Sequence, residues 1–396
     1  MSSRALPHGV VVLGLVSMFM DISSEIIHSL LPIFLLSTLG VSVLVVGIIE
    51  GVAEATASVT KLFSGALSDR VGRRKPLVLL GYSLAAATKP FFPLATGVTM
   101  VLAARFVDRV GKGIRDAPRD ALVADLTPEE TRGLAYGLRQ ALDTLGAFVG
   151  PLMASALMMA TGNQFRSVFW IAMAPAFIAV ALVAFCVPEP KANRPTSQAG
   201  PLFRRKDLAR LDRRYWLIVA LAALLNLARF SQAFLLIRAQ NLGLATAFIP
   251  SVLIVMNIVY AFSAYPFGAL SDRMARRRLL GLGLIFLIAA NLVLAGAQNI
   301  VAVYFGTVLW GLHMGATEGL LSAVVADSCP EDLRGTAFGI FNLSSGIALL
   351  LANVVAGWLW GTLGPGSTFI AGTVFAGLCL VGTIAAWAPR KKAPQR

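Results

Sequence analysis

Apolar residues along this chain come in long runs, separated by short clusters of charge, glycine and proline. Read as helices, the runs fall at about residues 10–35, 43–67, 77–96, 99–122, 134–160, 167–187, 216–237, 248–270, 279–297, 300–325, 336–360 and 368–388. Each is close to the ~20 residues that carry a helix across the hydrocarbon core of a bilayer. The pattern predicts an all-α polytopic membrane protein with twelve transmembrane helices. Between the sixth and seventh runs lies PEPKANRPTSQAGPLFRRKDLARLDRR, rich in proline and charge, which reads as a linker. The expected organisation is a six-helix bundle over 1–187, a cytoplasmic linker over 188–215 and a second six-helix bundle over 216–396.

The halves repeat. GALSDRVGRRK at 65–75 returns as GALSDRMARRR at 268–278, and VADLTPEETRGLAYG at 123–137 returns as VADSCPEDLRGTAFG at 325–339. The offsets are 203 and 202, so one duplication with a single-residue slip covers both. Two six-helix halves of the same orientation are related by an axis along the membrane normal. In transporters built this way the substrate site lies near the midplane, between the halves.

Composition narrows the class. Of 396 residues, 57% are hydrophobic and 14% charged, against roughly 25% charged in ordinary globular chains. That deficit excludes a disordered chain, a coiled coil and a water-soluble multidomain protein. The net charge of +14 would suit nucleic acid if the bases formed one patch, but they do not. Arg70, Arg73, Arg74 and Lys75, then Arg273, Arg276, Arg277 and Arg278, then the linker and the tail, all fall on one side of the predicted spans. The opposite loops carry only Arg166 and Arg238. This asymmetry is the positive-inside pattern, which places both termini in the cytoplasm and suits a bacterial inner membrane. The expected partners are therefore the lipid bilayer and a small molecule, with no nucleic acid.

The first apolar run is too long for a signal peptide and lacks a small-residue cleavage site. Cys186, Cys329 and Cys379 are scattered and form neither a disulfide framework nor a CxxC site. Met18, Met20, His313 and Met314 make no soft-metal cluster at helical spacing. No metal and no cofactor are expected. The sequence has no HExxH, GxSxG or P-loop pattern and no sizeable soluble domain, so an enzyme is not expected.

GALSDRVGRRK resembles, position for position, the loop signature of the major facilitator superfamily, G-x-L-[AS]-D-R-x-G-R-[RK]-[RK]. The second copy departs from it at Ala275. In the fourth span Arg105 and Gly111 resemble the family's arginine-glycine pattern, with Arg109 in place of an expected glycine. In the fifth, Gly146, Gly150 and Pro151 resemble the G-x-x-x-G-P core common in proton-driven exporters. The resemblance covers the whole chain and implies alternating access, export by proton antiport and a monomer. It also implies a gate built on Gly65, Asp69, Arg70, Gly72, Arg73, Arg74, Asp272 and Arg273. The residues agree: Asp69 and Asp272 fall at helix ends beside arginines, where a carboxylate can accept from guanidinium or from free backbone donors in one conformation and lose them in another.

The most informative segment is RFVDRVGKGIRDAPRD at 105–120. At 100° per residue, Arg105, Arg109, Lys112, Arg115 and Arg119 fall within about 120° of arc and span about 21 Å of rise. Each such charge facing lipid at the bilayer centre would cost about 2.5–3.5 kcal/mol. The stripe must therefore line an aqueous cavity or a paired polar interface. Asp21, Glu25 and His28 share a face of the first span, Glu50, Glu54 and Lys61 one of the second, and Arg139 and Asp143 are one turn apart in the fifth. The first six spans carry eight bases and eight acids, whereas the last six carry only Arg229 and Glu318.

This imbalance predicts a division of labour. Asp21, Glu25, Glu54 and Arg105 are expected to couple transport to protons. His28, Arg109, Lys112, Arg115, Arg139, Asp143, Asn226, Arg229, Asn257, His313 and Glu318 are expected around the substrate cavity. A static reading stands beside this one: Arg105–Asp108, Asp108–Lys112, Lys112–Asp116 and Asp116–Arg119 have the spacing of a salt-bridge ladder. Glu50 reads as near the outer surface and solvated. Two further functional readings remain open on the sequence: proton-coupled symport of an organic anion, and a non-transporting receptor on the same fold.

Overall fold

The computed structural model describes residues 6–71, 73–189, 210–318, 320, 324–325, 328–330 and 333–386. Twelve helical units run through it, and no strand occurs among the described residues. In the first half they are α1 (His8–Ser37), α2 (Val43–Val71), α3 (Lys75–Leu94), α4 (Val98–Leu126), α5 (Arg132–Ala160) and α6 (Phe165–Cys186). In the second they are α7 (Arg213–Asn241), α8 (Ser251–Arg273), α9 (Arg276–Ala295), α10 (Ile300–Thr317), α11 (Arg334–Leu363) and α12 (Pro365–Ala386). Eleven of these units contain stretches long and apolar enough to cross a membrane. The exception is α4, whose charges disqualify it on composition although it packs within the bundle like the rest.

Several units are broken where the sequence shows one run. α1 divides into His8–His28 and Leu31–Ser37, with Pro32 in the first turn of the second piece, where its missing N–H costs nothing. α7 divides into Arg213–Ala228 and Ala233–Asn241, so it runs past the expected end at 237. Arg238, expected in a loop, therefore lies in a helix, where its guanidinium donates to the carbonyls of Leu294 (3.2 Å) and Ala297 (2.6 Å). The expected run to 325 is broken after Thr317, where Glu318 is extended (φ −62°, ψ 128°), and the described residues 320, 324 and 325 beyond it are again helical.

Each half is a six-helix bundle in which the third and fourth units, α3 with α4 and α9 with α10, touch along their length. The backbones approach so closely that side chains are excluded: a Cβ on Gly81 would lie 2.6 Å from the Gly111 carbonyl. Between the halves, α2 lies along α11, α5 meets α8, and the second pieces of α1 and α7 pack together. These contacts concentrate on the side away from the termini. A Cβ on Gly51 would lie 2.9 Å from the Leu350 carbonyl, and one on Gly357 would lie 2.8 Å from the Leu44 backbone. Asn257 Nδ2 donates to the Ala147 carbonyl at 2.9 Å where α5 crosses α8. Nearer the termini, α5 and α8 part around a space of about 470 Å³ that shares Glu318 with a deeper cavity. The two halves thus close on the far side and separate on the side of the termini.

Candidate functional site

The deeper cavity, about 480 Å³, lies between the bundles at the level of the α1 and α7 breaks. Its first wall is charged: Glu25 and His28 from α1, Glu50 and Glu54 from α2, and Arg105, Arg109 and Lys112 from α4. The opposite wall is mostly apolar and aromatic, with Phe230 and Leu236 from α7, Leu253 from α8, Trp310 from α10 and Phe341 and Leu349 from α11. Asn226, Arg229 and Glu318 add polar groups there.

Arg105 is the most heavily engaged base. Its Nη2 donates to both carboxylate oxygens of Glu50, at 3.0 and 3.1 Å, and its Nη1 reaches His28 Nε2. Glu50 is only 6% exposed, so the expectation of a solvated surface carboxylate is corrected: its helix turns it inward onto Arg105. The same carboxylate accepts from Ser231 Oγ of the other bundle at 3.1 Å, and Ser231 N–H donates to Asn353 Oδ1 at 2.7 Å. The break in α7 makes this possible, because it turns Ser231 out of the helical ladder. Arg105, Glu50, Ser231 and Asn353 form a polar chain across the closed side of the interface.

Other wall groups are left loose. Glu25 approaches only His28 Nδ1, at 3.7 Å, and Glu54 lies 3.9 Å from Arg109, both beyond hydrogen-bond length. Glu25 and Glu54 are 27% and 37% exposed. Lys112 has no ion pair among the described residues. Across the cavity Arg229 Nη2 donates to Glu318 Oε2 at 3.0 Å.

The remaining charges of α4 point into the bundle, which corrects two expectations. Of the four ladder steps, only Asp116–Arg119, at 4.0 Å, occurs among the described ion pairs. The partners come instead from neighbouring helices. Lys89 of α3 donates to Asp108 at 3.1 Å and to Ser24 at 3.1 Å, with both members of the ion pair buried. Arg119 donates to Ser17 at 3.0 Å. Arg115 lies over the Tyr82 ring, 4.5 Å from its centroid, and so does not line the cavity.

Four more residues expected around the cavity are elsewhere, as is Asp21. Arg139 and Asp143 pair at 2.8 Å beside Asp120, on the part of α5 nearer the termini. Asn257 holds the α5–α8 crossing. His313 is fully buried, with Nδ1 on the Gly283 carbonyl at 2.8 Å. Asp21 faces α5, where a Cβ on Gly146 would lie 2.9 Å from its own Cβ. One turn on, a Cβ on Gly150 would lie 2.5 Å from that of Glu25. The glycines of the G-x-x-x-G-P segment thus let α5 seat the two acids of α1.

At the gate motif, Gly65 faces Ala117 of α4, Arg74 pairs with Asp125 at 3.1 Å and Arg73 with Glu189 at 3.5 Å. The two repeated motifs of the first half are therefore joined by Arg74 and Asp125. Gly72 and the side chains of Asp69, Arg70, Asp272 and Arg273 lie outside the described residues. Sequence reasoning missed Ser231 and Asn353. An intramembrane Asn in α11 and the polar pair Ser231–Gln232 after an apolar run were the available signals.

The Major Facilitator Superfamily profile matches residues 13–255 and 217–396. An uncharacterised MFS-type transporter of Methanocaldococcus jannaschii is 30% identical over 385 residues, covering 95% of this chain and 94% of that protein. Multidrug resistance protein MdtH of Photorhabdus laumondii is 25% identical over 342 residues, covering 85% and 83%. Among solved structures, a bacterial homologue of the human lysosomal transporter Spinster, inward-facing and unoccupied, superposes with a TM-score of 0.77 at 16% identity, over 96% of this chain and 98% of that one.

Proposed function

Because the chain belongs to the Major Facilitator Superfamily of transporters, we propose that it exports a small molecule by proton antiport, with the interface cavity as the transport site. The observation that carries this reading is Glu25, a carboxylate on the cavity wall with no hydrogen bond among the described residues, set among His28, Arg109 and Lys112. A carboxylate among bases, in a space that is wet in one conformation and dry in the other, changes its hold on a proton between the two. That is the physical requirement for coupling. Glu54 shares the wall, Arg105 is the fixed base behind them, and Asp21, one turn along α1, relays the proton toward the termini.

The closed side is the extracellular one if the basic loops and both termini are cytoplasmic, as the charge asymmetry favours in a bacterial inner membrane. The structure is then inward-facing. The units that rock are 1–187 and 216–396, joined by 188–215, in a single chain acting as a monomer. Export is supported by Gly146, Gly150 and Pro151 against α1 and by the multidrug resistance relative.

The test is proton movement in proteoliposomes of the purified chain, challenged with amphipathic drugs and organic anions. Saturable proton flow opposite to the ligand, abolished in Glu25→Gln, is the expected result. Flow in the same direction would replace antiport by symport. Ligand binding with no proton movement would favour a receptor.

A further inference from the structure

Resting on that reading of the cavity, we propose that its substrate is an amphoteric molecule: a small zwitterion with one protonated amine, one carboxylate-like anion and an apolar or aromatic body. The charges around the cavity balance. Four acids (Glu25, Glu50, Glu54 and Glu318) face four bases (Arg105, Arg109, Lys112 and Arg229). Two of the possible pairs are closed by hydrogen bonds, Arg105–Glu50 at 3.0 Å and Arg229–Glu318 at 3.0 Å.

What remains open is one patch on the charged wall, made of two carboxylates and two cations. Among the described residues Glu25 and Glu54 have no hydrogen bond, Arg109 reaches His28 at 3.3 Å but has no carboxylate closer than 3.9 Å, and Lys112 has no ion pair. A ligand with a single charge would bring uncompensated charge into a site of low dielectric and satisfy only one sign of the patch. A zwitterion adds no net charge and offers a partner to both. Its ammonium would lie on Glu25 and Glu54, its anion on Lys112 and Arg109.

The facing wall fits the rest of such a molecule. Phe230 and Trp310 stand with ring centroids 5.5 Å apart, and Phe341 and Leu349 extend the apolar surface. The volume of about 480 Å³ falls within the range of small-molecule pockets. Antiport follows from the same geometry, since ligand ammonium and proton would compete for the same carboxylates.

Matched probes test the proposal at a pH below about 6.5: L-tryptophan and the larger norfloxacin, each with its methyl ester, which lacks the anion, and its N-acetyl derivative, which lacks the cation. Binding is measured by calorimetry on the full chain in detergent, so no transport is needed. At least one amphoteric parent is expected to bind about tenfold or more tighter than both of its derivatives, the scale of one charge-assisted hydrogen bond. Lys112→Gln should reduce that parent to the affinity of its ester and leave the ester unchanged. Glu54→Gln should reduce it toward the N-acetyl derivative. Neither side chain holds a hydrogen bond among the described residues, and equal melting temperatures would confirm intact folding.

The proposal is overturned if every parent that binds is equalled by its own ester or N-acetyl derivative, or if both parents fail to bind. Binding of a parent without proton flux in vesicles would overturn antiport while leaving the amphoteric site standing. Proton flux driven only by a singly charged ligand would do the reverse.

Discussion

The pairs α3–α4 and α9–α10 have the same packing and opposite chemistry. The offset of 202 that relates the repeats sets Gly81 over Gly283, Gly111 over His313 and Arg115 over Thr317. A side chain on Gly81 would meet Gly111 and Arg115, and one on Gly283 would meet His313 and Thr317, so the crossing is one design used twice. Within it, the first half places the ion pair Lys89–Asp108, while the matching slot of the second half holds Asn291 and Trp310. The fold therefore does not require charge at this crossing. Inside the second bundle the same slot is filled by uncharged residues. The charges proposed to serve transport are those α4 turns to the interface.

The largest effect that would sharpen this contrast comes from splitting the buried pair. Lys89→Met leaves Asp108 buried and alone, and is expected to cost about 3–5 kcal/mol of stability, read as a large drop in melting temperature in detergent. The double change Lys89→Met with Asp108→Leu should recover most of that loss, because a buried ion pair is often replaced by apolar residues at little cost. A double variant as unstable as the single one would break the equivalence of the two slots.

Next in size is the polar chain on the closed side. Ser231→Ala removes one hydrogen bond to a carboxylate across the interface, about 1.5 kcal/mol, which shifts the conformational populations about tenfold toward the open far side. Spin labels on the α1–α2 and α7–α8 loops would report longer distances. Unchanged distances would mean that the packing at Gly51 and Gly357 alone closes that side.

The smallest effect is at Asn291, fully buried with neither amide atom partnered among the described residues. Asn291→Leu should raise stability by about 1 kcal/mol, since an unsatisfied buried amide is lost. A decrease would indicate an unseen partner for the amide.

Much of the fold was legible because bilayer thickness and the repeat constrain it strongly. Twelve runs, the duplicated motifs and the charge stripe of α4 all follow from lengths and spacing. The direction of each charge did not. Spacing along α4 places Asp108 beside Lys112, yet Asp108 pairs with Lys89, nineteen residues back on another helix. Only packing decides between a partner one turn away and one across a helix crossing. Breaks inside apolar runs were equally hidden: RFSQAF holds no proline or glycine, only the polar pair Ser231–Gln232, at the turn that brings Ser231 to Glu50, and the break before Pro32 lies within a single apolar run. The near absence of charge in the last six spans fits an apolar cavity wall, but Phe230 and Trp310 are not distinguishable in sequence from core aromatics.

The central claim is that charge on the cavity wall serves transport while charge within the bundle serves packing. Its most direct test is ligand-driven proton flux in proteoliposomes for two variants side by side, Glu25→Gln and the double variant Lys89→Met with Asp108→Leu. The account predicts that the double variant keeps its flux and Glu25→Gln loses it. Flux retained in Glu25→Gln and lost in a stably folded double variant would contradict it.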